Sequence, residues 1–322
     1  MVLPIISGKV QHVSVDDASE GQRLDNFLLK LLKGVPKTHV YRVIRAGEVR
    51  VNKGRAGVDT RLALGDVVRV PPVRVPEPAE RPPAPPREFP VLFEDDCLLV
   101  IDKPAGVAVH GGSGVSFGVI EQLRQARPQA RFLELVHRLD KETSGVLLLA
   151  KKRSALTRLQ DQFRARNIGK TYSALVIGSW DVSKKVIDIA LHRFLNAEGE
   201  RRVRTTDGDQ GQRSISLVEV VRAFDHFTWL DVTIKTGRTH QIRVHLAHQG
   251  APIVGDDKYG DFALNKALAQ GRSIGAGGVL LPRFARMFLH ARRLSFDHPV
   301  TEQRMTLEAT LPTECGTLLS RL

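Results

Sequence analysis

The residues best suited to chemistry lie in one polar run, His137-Arg138-Leu139-Asp140-Lys141-Glu142-Thr143-Ser144-Gly145. The apolar segment Phe132 to Val136 leads into it and the apolar run Gly145 to Ala150 leads out. A carboxylate on a loop between two sheet-forming segments is held still, which is where catalytic groups are often carried. Ionised, Asp140 is an oxygen nucleophile or a general base, and Arg138 nearby favours its charged form. Residue types alone leave a second reading open, an aspartate that forms a turn or a cap. Tyr172 is likewise either a wall for a planar ligand or an ordinary strand aromatic. His240 and His245 stand five apart without a third ligand, and Cys97 and Cys315 match no metal spacing, so no metal site is expected. The glycines of His110-Gly111-Gly112-Ser113-Gly114 suit either a phosphate cradle or a flexible turn.

These groups need a scaffold, and hydrophobic periodicity supplies one. Nine of the 17 prolines fall between Pro71 and Pro90. Proline fixes φ and lacks a backbone donor, so this stretch forms neither helix nor central strand and marks a semi-stiff linker between two domains. Before it, Leu24, Phe27, Leu28 and Leu31 share one helical face. Val35-Pro36-Lys37 ends that helix, and a second is expected with Thr38 as cap, Val40, Val43 and Ile44 facing the core and Gly47 as the stop. Lys37, Arg42 and Arg45 lie on its other faces. Strands are expected over residues 48–52 and 66–70, which alternate with period two.

After the linker, the apolar runs Cys97 to Ile101 and Gly145 to Ala150 have the composition of buried strands. Residues 171–176 and 228–234 add two more, and Leu156, Leu159 and Phe163 mark a helix. Strand and helix signals alternate without a repeated βαβ unit. The expected class is therefore α+β, with a large mixed or mostly antiparallel sheet.

Composition narrows the partners. Lys plus Arg number 48 against 35 Asp plus Glu, a net charge of +13 in 322 residues, which points to a polyanion. The N-terminus lacks the basic region and cleavage site of a signal peptide, and no apolar run is long enough to span a bilayer, so a cytoplasmic location and no membrane partner are expected.

The wording of these segments resembles known families. RLDNFL, VPKTHVYRVIRAGEVRVN and LALGDVVRV resemble the S4 RNA-binding domain, here residues 14–72 with a linker over 73–89. HRLDKETSG resembles the active-site motif of the RluA-type pseudouridine synthases, KTY their second motif and TGRTHQIRVH their third. DKPAG, VHGG, GDDKYG and LHA also match family wording, so the likeness covers nearly the whole chain. It implies a catalytic domain of the pseudouridine synthase fold over residues 90–322. It implies isomerisation of uridine to pseudouridine in 23S ribosomal RNA of the large subunit, without a cofactor and by a monomer. Asp140 is then the nucleophile, Arg243 its partner and Tyr172 the residue that packs on the flipped base. His137, Arg138 and Arg238 are implied to bind substrate in the catalytic domain, and Lys37, Arg42 and Arg45 to contact RNA from the S4 domain. Two other readings are a related synthase with other rRNA sites and a non-catalytic RNA-binding assembly factor. The latter has no use for an intact Asp140, Tyr172 and Arg243.

The charge excess makes a measurable claim. RNA affinity should fall linearly on a log–log plot against salt, about a thousandfold between about 50 and 200 mM if roughly six phosphates are neutralised. A flat titration would contradict it.

Overall fold

A computed structural model describes residues 9–73, 82–112, 115–197, 199–272 and 281–322. Residues 74–81 of the proline-rich stretch, Ser113 and Gly114 of the glycine run, and residues 1–8 lie outside the described residues. The chain divides into two compact units, Met1–Ala84 and Pro85–Leu322.

The first unit orders β1 (Gln11–Ser14), α1 (Leu24–Leu31), α2 (Lys37–Arg45), β2 (Arg50–Val51), β3 (Gly54–Arg55) and β4 (Val67–Val70). Its sheet is antiparallel in the order β1-β4-β2-β3. Leu24, Phe27 and Leu28 of α1 pack against Val40, Val43 and Ile44 of α2, as the periodicity requires. The expected cap at Thr38 is displaced. Pro36, extended at φ −56 and ψ 136, is the N-cap, because proline cannot donate and the helix starts directly after it. Gly47 follows the helix at φ +73. The strand expected over 48–52 shrinks to two residues, since Asn52 and Lys53 turn into the left-handed region. Lys37, Arg42 and Arg45 are all exposed on α2.

The second unit contains, in order, β5 (Val91–Glu94), β6 (Leu98–Lys103), α3 (Val119–Ala126), β7 (Glu134–Leu135), β8 (Ser144–Ala150), α4 (Arg153–Ala165), β9 (Gly169–Ile177), β10 (Val186–Asp188), β11 (Leu191–Leu195), β12 (Arg201–Thr205), β13 (Ile215–Ala223), β14 (Phe227–Ile234), α5 (Gln241–His248), α6 (Phe262–Ala269), β15 (Leu289–Asp297), β16 (Arg304–Glu308) and α7 (Thr313–Leu319). Ten of the strands form one sheet, ordered β10-β13-β14-β9-β15-β8-β6-β5, with β16 added to β15 and β7 to β8. Strands β11 and β12 form a separate two-stranded ribbon. Among the described residues β8–β15 is the one parallel pair, so the sheet is mixed and largely antiparallel.

The continuous apolar runs have a packing reason. On one face of β6 and β8, Leu99, Ile101, Leu147 and Leu149 meet Val119 and Leu123 of α3. On the other, Leu98, Val100, Val146 and Leu148 meet Leu156 and Leu159 of α4. A strand covered on both faces has no solvent side and loses its alternation. Farther along, Leu230 and Val232 of β14 share a core with Ile242 and Leu246 of α5 and Leu318 of α7.

The parallel seam sits directly after the Asp140 loop, pairing Ser144 with His290 and Gly145 with Ala291. Gly145 has φ +110, and a Cβ there would overlap the Ala291 carbonyl. Only glycine permits this approach. Gly145→Ala should therefore destabilise the catalytic unit by about 2–4 kcal/mol through strain and overpacking. Urea unfolding measures it, and a wild-type midpoint would refute the seam argument.

Candidate active site

Asp140 lies in the loop between β7 and β8, where its own carbonyl accepts from Thr143 N–H at 3.1 Å. The next residue is tied down from beneath. Lys103, fully buried at the end of β6, donates from Nζ to the carbonyls of Lys141 (3.1 Å), Val107 (2.7 Å) and Pro104 (2.9 Å). Burial pushes this amine down to about 7, while three carbonyl acceptors match the three N–H groups of its ammonium form. Gly106 N–H also donates to the Lys141 carbonyl, at 3.0 Å. The Asp140 loop is thus clamped to the β6 turn rather than left to its own hydrogen bonds.

Arg243 of α5 faces the carboxylate, with Nη1 3.8 Å from Asp140 Oδ2. Its close partner is another residue. Nε and Nη2 donate to the two oxygens of Asp256 at 2.7 and 2.6 Å, and Nη2 also reaches Asp257 Oδ1 at 2.9 Å. Arg243 is 3% exposed and Asp256 0%. Burial opposes both charges, but their bidentate pairing outweighs it, raising the guanidinium and lowering the carboxyl from their ordinary values. Asp256 Oδ1 further accepts from the amides of Lys258 (2.8 Å) and Tyr259 (3.0 Å), and Asn265 Nδ2 donates to its carbonyl at 2.9 Å. The GDDKYG segment is folded around this carboxylate. Its wording matched the family, yet nothing in the residue types told that Asp256, not Asp140, is the tight partner of Arg243.

Loop 236–240 is organised by Gln241, 3% exposed. Its Oε1 accepts from Thr236 Oγ1 and Arg238 N–H, and its Nε2 donates to Ile215 O and Ser216 Oγ. The result is one cavity lined by Arg138, Leu139, Asp140, Tyr172, Ile234, Arg238, His240, Ile242, Arg243 and Leu289, among others. Its volume is about 110 Å³. Tyr172 of β9 contributes a ring wall. Burial, then the charge of Asp140, push its phenol above its ordinary value, so it stays protonated at neutral pH and is a poor base.

The expected site residues separate here. Arg138, Asp140, Tyr172, Arg238 and Arg243 come together on the cavity, whereas His137 does not line it. Its Nε2 accepts from Leu148 N–H at 3.1 Å and its ring stacks on Phe163, with burial pushing it down to about 4. It supports the β8 strand. The charge contact expected between Arg138 and Asp140 falls to Arg243 instead, and Arg138 is exposed. Arg238 Nε is buried without a hydrogen-bond partner among the described residues. His240 reaches to 3.9 Å from Asp140 Oδ2 and was missed, having been weighed only as a metal ligand.

The described part of the glycine run uses its amides internally, since Gly111 N–H donates to Glu121 Oε2 and Gly112 N–H to the Val115 carbonyl. His240 and His245 do not form a ligand pair: His245 Nδ1 meets Ser216 Oγ and Nε2 the Ile189 carbonyl. Asp95, Cys97 and His298 do bring ligand-type atoms together. They satisfy one another. Asp95 Oδ1 accepts the Cys97 and Leu98 amides, Oδ2 accepts from His298 Nε2 at 2.8 Å, and His298 Nδ1 accepts from Thr301 N–H.

A carboxylate beside a buried guanidinium and a tyrosine, on a mixed sheet crossed by one parallel seam, defines a known class. Residues 97–248 match the RNA pseudouridylate synthase family and residues 22–68 the S4 domain. The chain belongs to the RNA pseudouridylate synthase family, and its enzyme class is that of an isomerase. It is 46% identical over 324 residues to ribosomal large subunit pseudouridine synthase C of Haemophilus influenzae, spanning 99% of this chain and 97% of that one. It is 49% identical over 308 residues to the protein of the same name from Yersinia pestis, spanning 94% and 92%. The structure of human RNA pseudouridylate synthase domain containing 4 superposes with a TM-score of 0.57 at 26% identity, covering 72% of this chain and 92% of that one.

The two carboxylates on Arg243 should differ in worth. Asp256→Asn leaves a buried guanidinium short of its counter-charge and should cost about 3 kcal/mol of stability. Asp257→Asn, at a position 64% exposed, should cost less than about 1 kcal/mol. Equal losses in urea unfolding would refute the ranking.

Proposed function

We propose that this protein converts uridine to pseudouridine in 23S ribosomal RNA of the large subunit, with Asp140 as nucleophile. The observation that carries the reading is the placement of Asp140 Oδ2 3.8 Å from a buried Arg243, on a cavity walled by Tyr172. Relatives named for the large ribosomal subunit, matched over nearly the full chain, support the substrate. The reaction detaches uracil from C1′, turns it and rejoins it through C5. It is redox-neutral and draws on a carboxylate already in place, so the reading includes no cofactor, and a monomer in the cytoplasm suffices for it.

In this reading the base is flipped out of its stack, because it cannot turn inside one. Tyr172 stacks on it, a contact worth about 1–3 kcal/mol. Arg243 sets its positive charge against the Asp140 carboxylate, and Arg138 and Arg238 bind the substrate backbone. Lys37, Arg42 and Arg45, exposed on α2, contact RNA at phosphates.

Asp140→Asn keeps the side chain's shape and removes its nucleophilicity. Turnover on unmodified large-subunit RNA, read by carbodiimide mapping of pseudouridine, should vanish while RNA binding survives. Retention of even about a tenth of wild-type turnover would remove Asp140 from the nucleophile's role. A wild-type protein that binds this RNA but never turns over would favour the assembly-factor reading instead.

A further inference from the structure

His240 sits where no motif role was assigned, and its backbone is unusual. It holds φ 53 and ψ 22, the left-handed region, immediately before α5. A non-glycine residue there costs about 1 kcal/mol or more and persists only when the surroundings impose it. The turn places the imidazole on the cavity wall, 14% exposed. Nδ1 lies 2.8 Å from Tyr259 Oη and Nε2 3.9 Å from Asp140 Oδ2.

The hydrogen-bond accounting favours a proton on Nε2. Tyr259 Oη already accepts from Val203 N–H at 3.1 Å. Burial raises its phenol above the ordinary value, so the hydroxyl keeps its hydrogen. The acceptor in reach is His240 Nδ1. A neutral ring that accepts at Nδ1 bears its hydrogen on Nε2. The ring stays neutral because burial, with Arg243 and Lys258, outweighs the opposing pull of Asp140 and Asp256. Tyr259 is itself fixed by Arg243, whose Cζ stands 5.2 Å from the ring centroid.

We infer that His240 is a positioning residue for the nucleophile, presenting an Nε2–H that Tyr259 enforces to Oδ2 of Asp140. Arg243 Nη1 faces that same oxygen at 3.8 Å. With both neighbours on Oδ2, Oδ1 is the oxygen left to attack. At 3.8 and 3.9 Å both are electrostatic contacts that a bound base can tighten into hydrogen bonds. The inference rests on the uridine-isomerase reading above, and its test separates the two.

Two measurements on the full-length protein decide it. In steady-state turnover on large-subunit RNA, His240→Ala should lower kcat about tenfold or more with KM nearly unchanged, the signature of an interaction used in the transition state. His240→Gln, whose amide nitrogen falls near the position of Nε2, should recover most of the loss. Tyr259→Phe should lower kcat in the same direction. Wild-type kcat in His240→Ala, or a Gln variant as poor as Ala, overturns the role. Independently of activity, ¹⁵N NMR of histidine-labelled protein, with His240 assigned by its absence in His240→Gln, should show the Nε2–H tautomer. An Nδ1–H tautomer or a charged ring at neutral pH overturns the inference. If the wild type modifies no RNA, the functional reading fails alone, and the tautomer still decides this one.

Discussion

A guanidinium that is 3% exposed must be neutralised where it stands, and the catalytic unit is arranged around that requirement. Removing such a charge from water costs several kcal/mol, which only close, bidentate partners offset. Asp256 supplies them, held in turn by two backbone amides, while Asn265 holds the turn through the Asp256 carbonyl. With its Nε and Nη2 engaged, Arg243 has one edge, Nη1, left to face Asp140. The division matters for chemistry. A carboxylate locked into both arms of an arginine is a poor nucleophile, because its lone pairs are spent. A carboxylate at 3.8 Å from an arginine already saturated elsewhere feels the charge and keeps its lone pairs.

The same logic of fixing one group through another extends into the scaffold. Asp140 itself sits on a loop, but Lys103 holds the next carbonyl from inside the core and Gly145 lets β15 approach just beyond. Arg243 enters on α5, whose start is set by the buried amide of Gln241 bonded to β13. Tyr172 projects from β9, the strand between β14 and β15. Carboxylate, cation and ring therefore come from three elements of one sheet-based unit. The first two are anchored by buried polar side chains, the Asp140 loop by Lys103 and the start of α5 by Gln241. Such anchoring limits drift of reacting groups to the sub-ångström range that catalysis tolerates.

The buried strands, both helices of the first unit and the mixed sheet could be read from the sequence, because they follow from which residues must leave water. Leu147 and Leu149 on one face and Val146 and Leu148 on the other need no tertiary information to be placed. The site was legible through motif wording, not through residue chemistry. Asp140, Tyr172 and Arg243 do meet at one cavity, but the partnership of Arg243 with Asp256 depends on a turn whose shape is tertiary. His137 illustrates the converse. It neighbours Asp140 in sequence, yet it points at Phe163 and the β8 backbone. Proximity along a chain predicts little about side-chain direction in a loop. Thr38 failed as a cap for a local reason, the proline two residues earlier having already set the helix start.

The charge of the whole chain and the charge of the cavity answer different needs. The excess of +13 is available to phosphates wherever arginines and lysines are exposed, as at Lys37, Arg42, Arg45 and Arg138. Around Arg243 the balance reverses, with Asp140, Asp256 and Asp257 facing one guanidinium. The cavity walls add Leu139, Ile234, Ile242, Leu289 and the Tyr172 ring. Arg138 and Arg238 line the cavity as well, so a phosphate is attracted to these arginines, while the apolar walls offer it nothing in exchange for its hydration. A neutral planar base meets a ring and aliphatic walls and loses little by leaving water. Long-range attraction to the backbone and short-range preference for the base thus act on separate parts of one nucleotide.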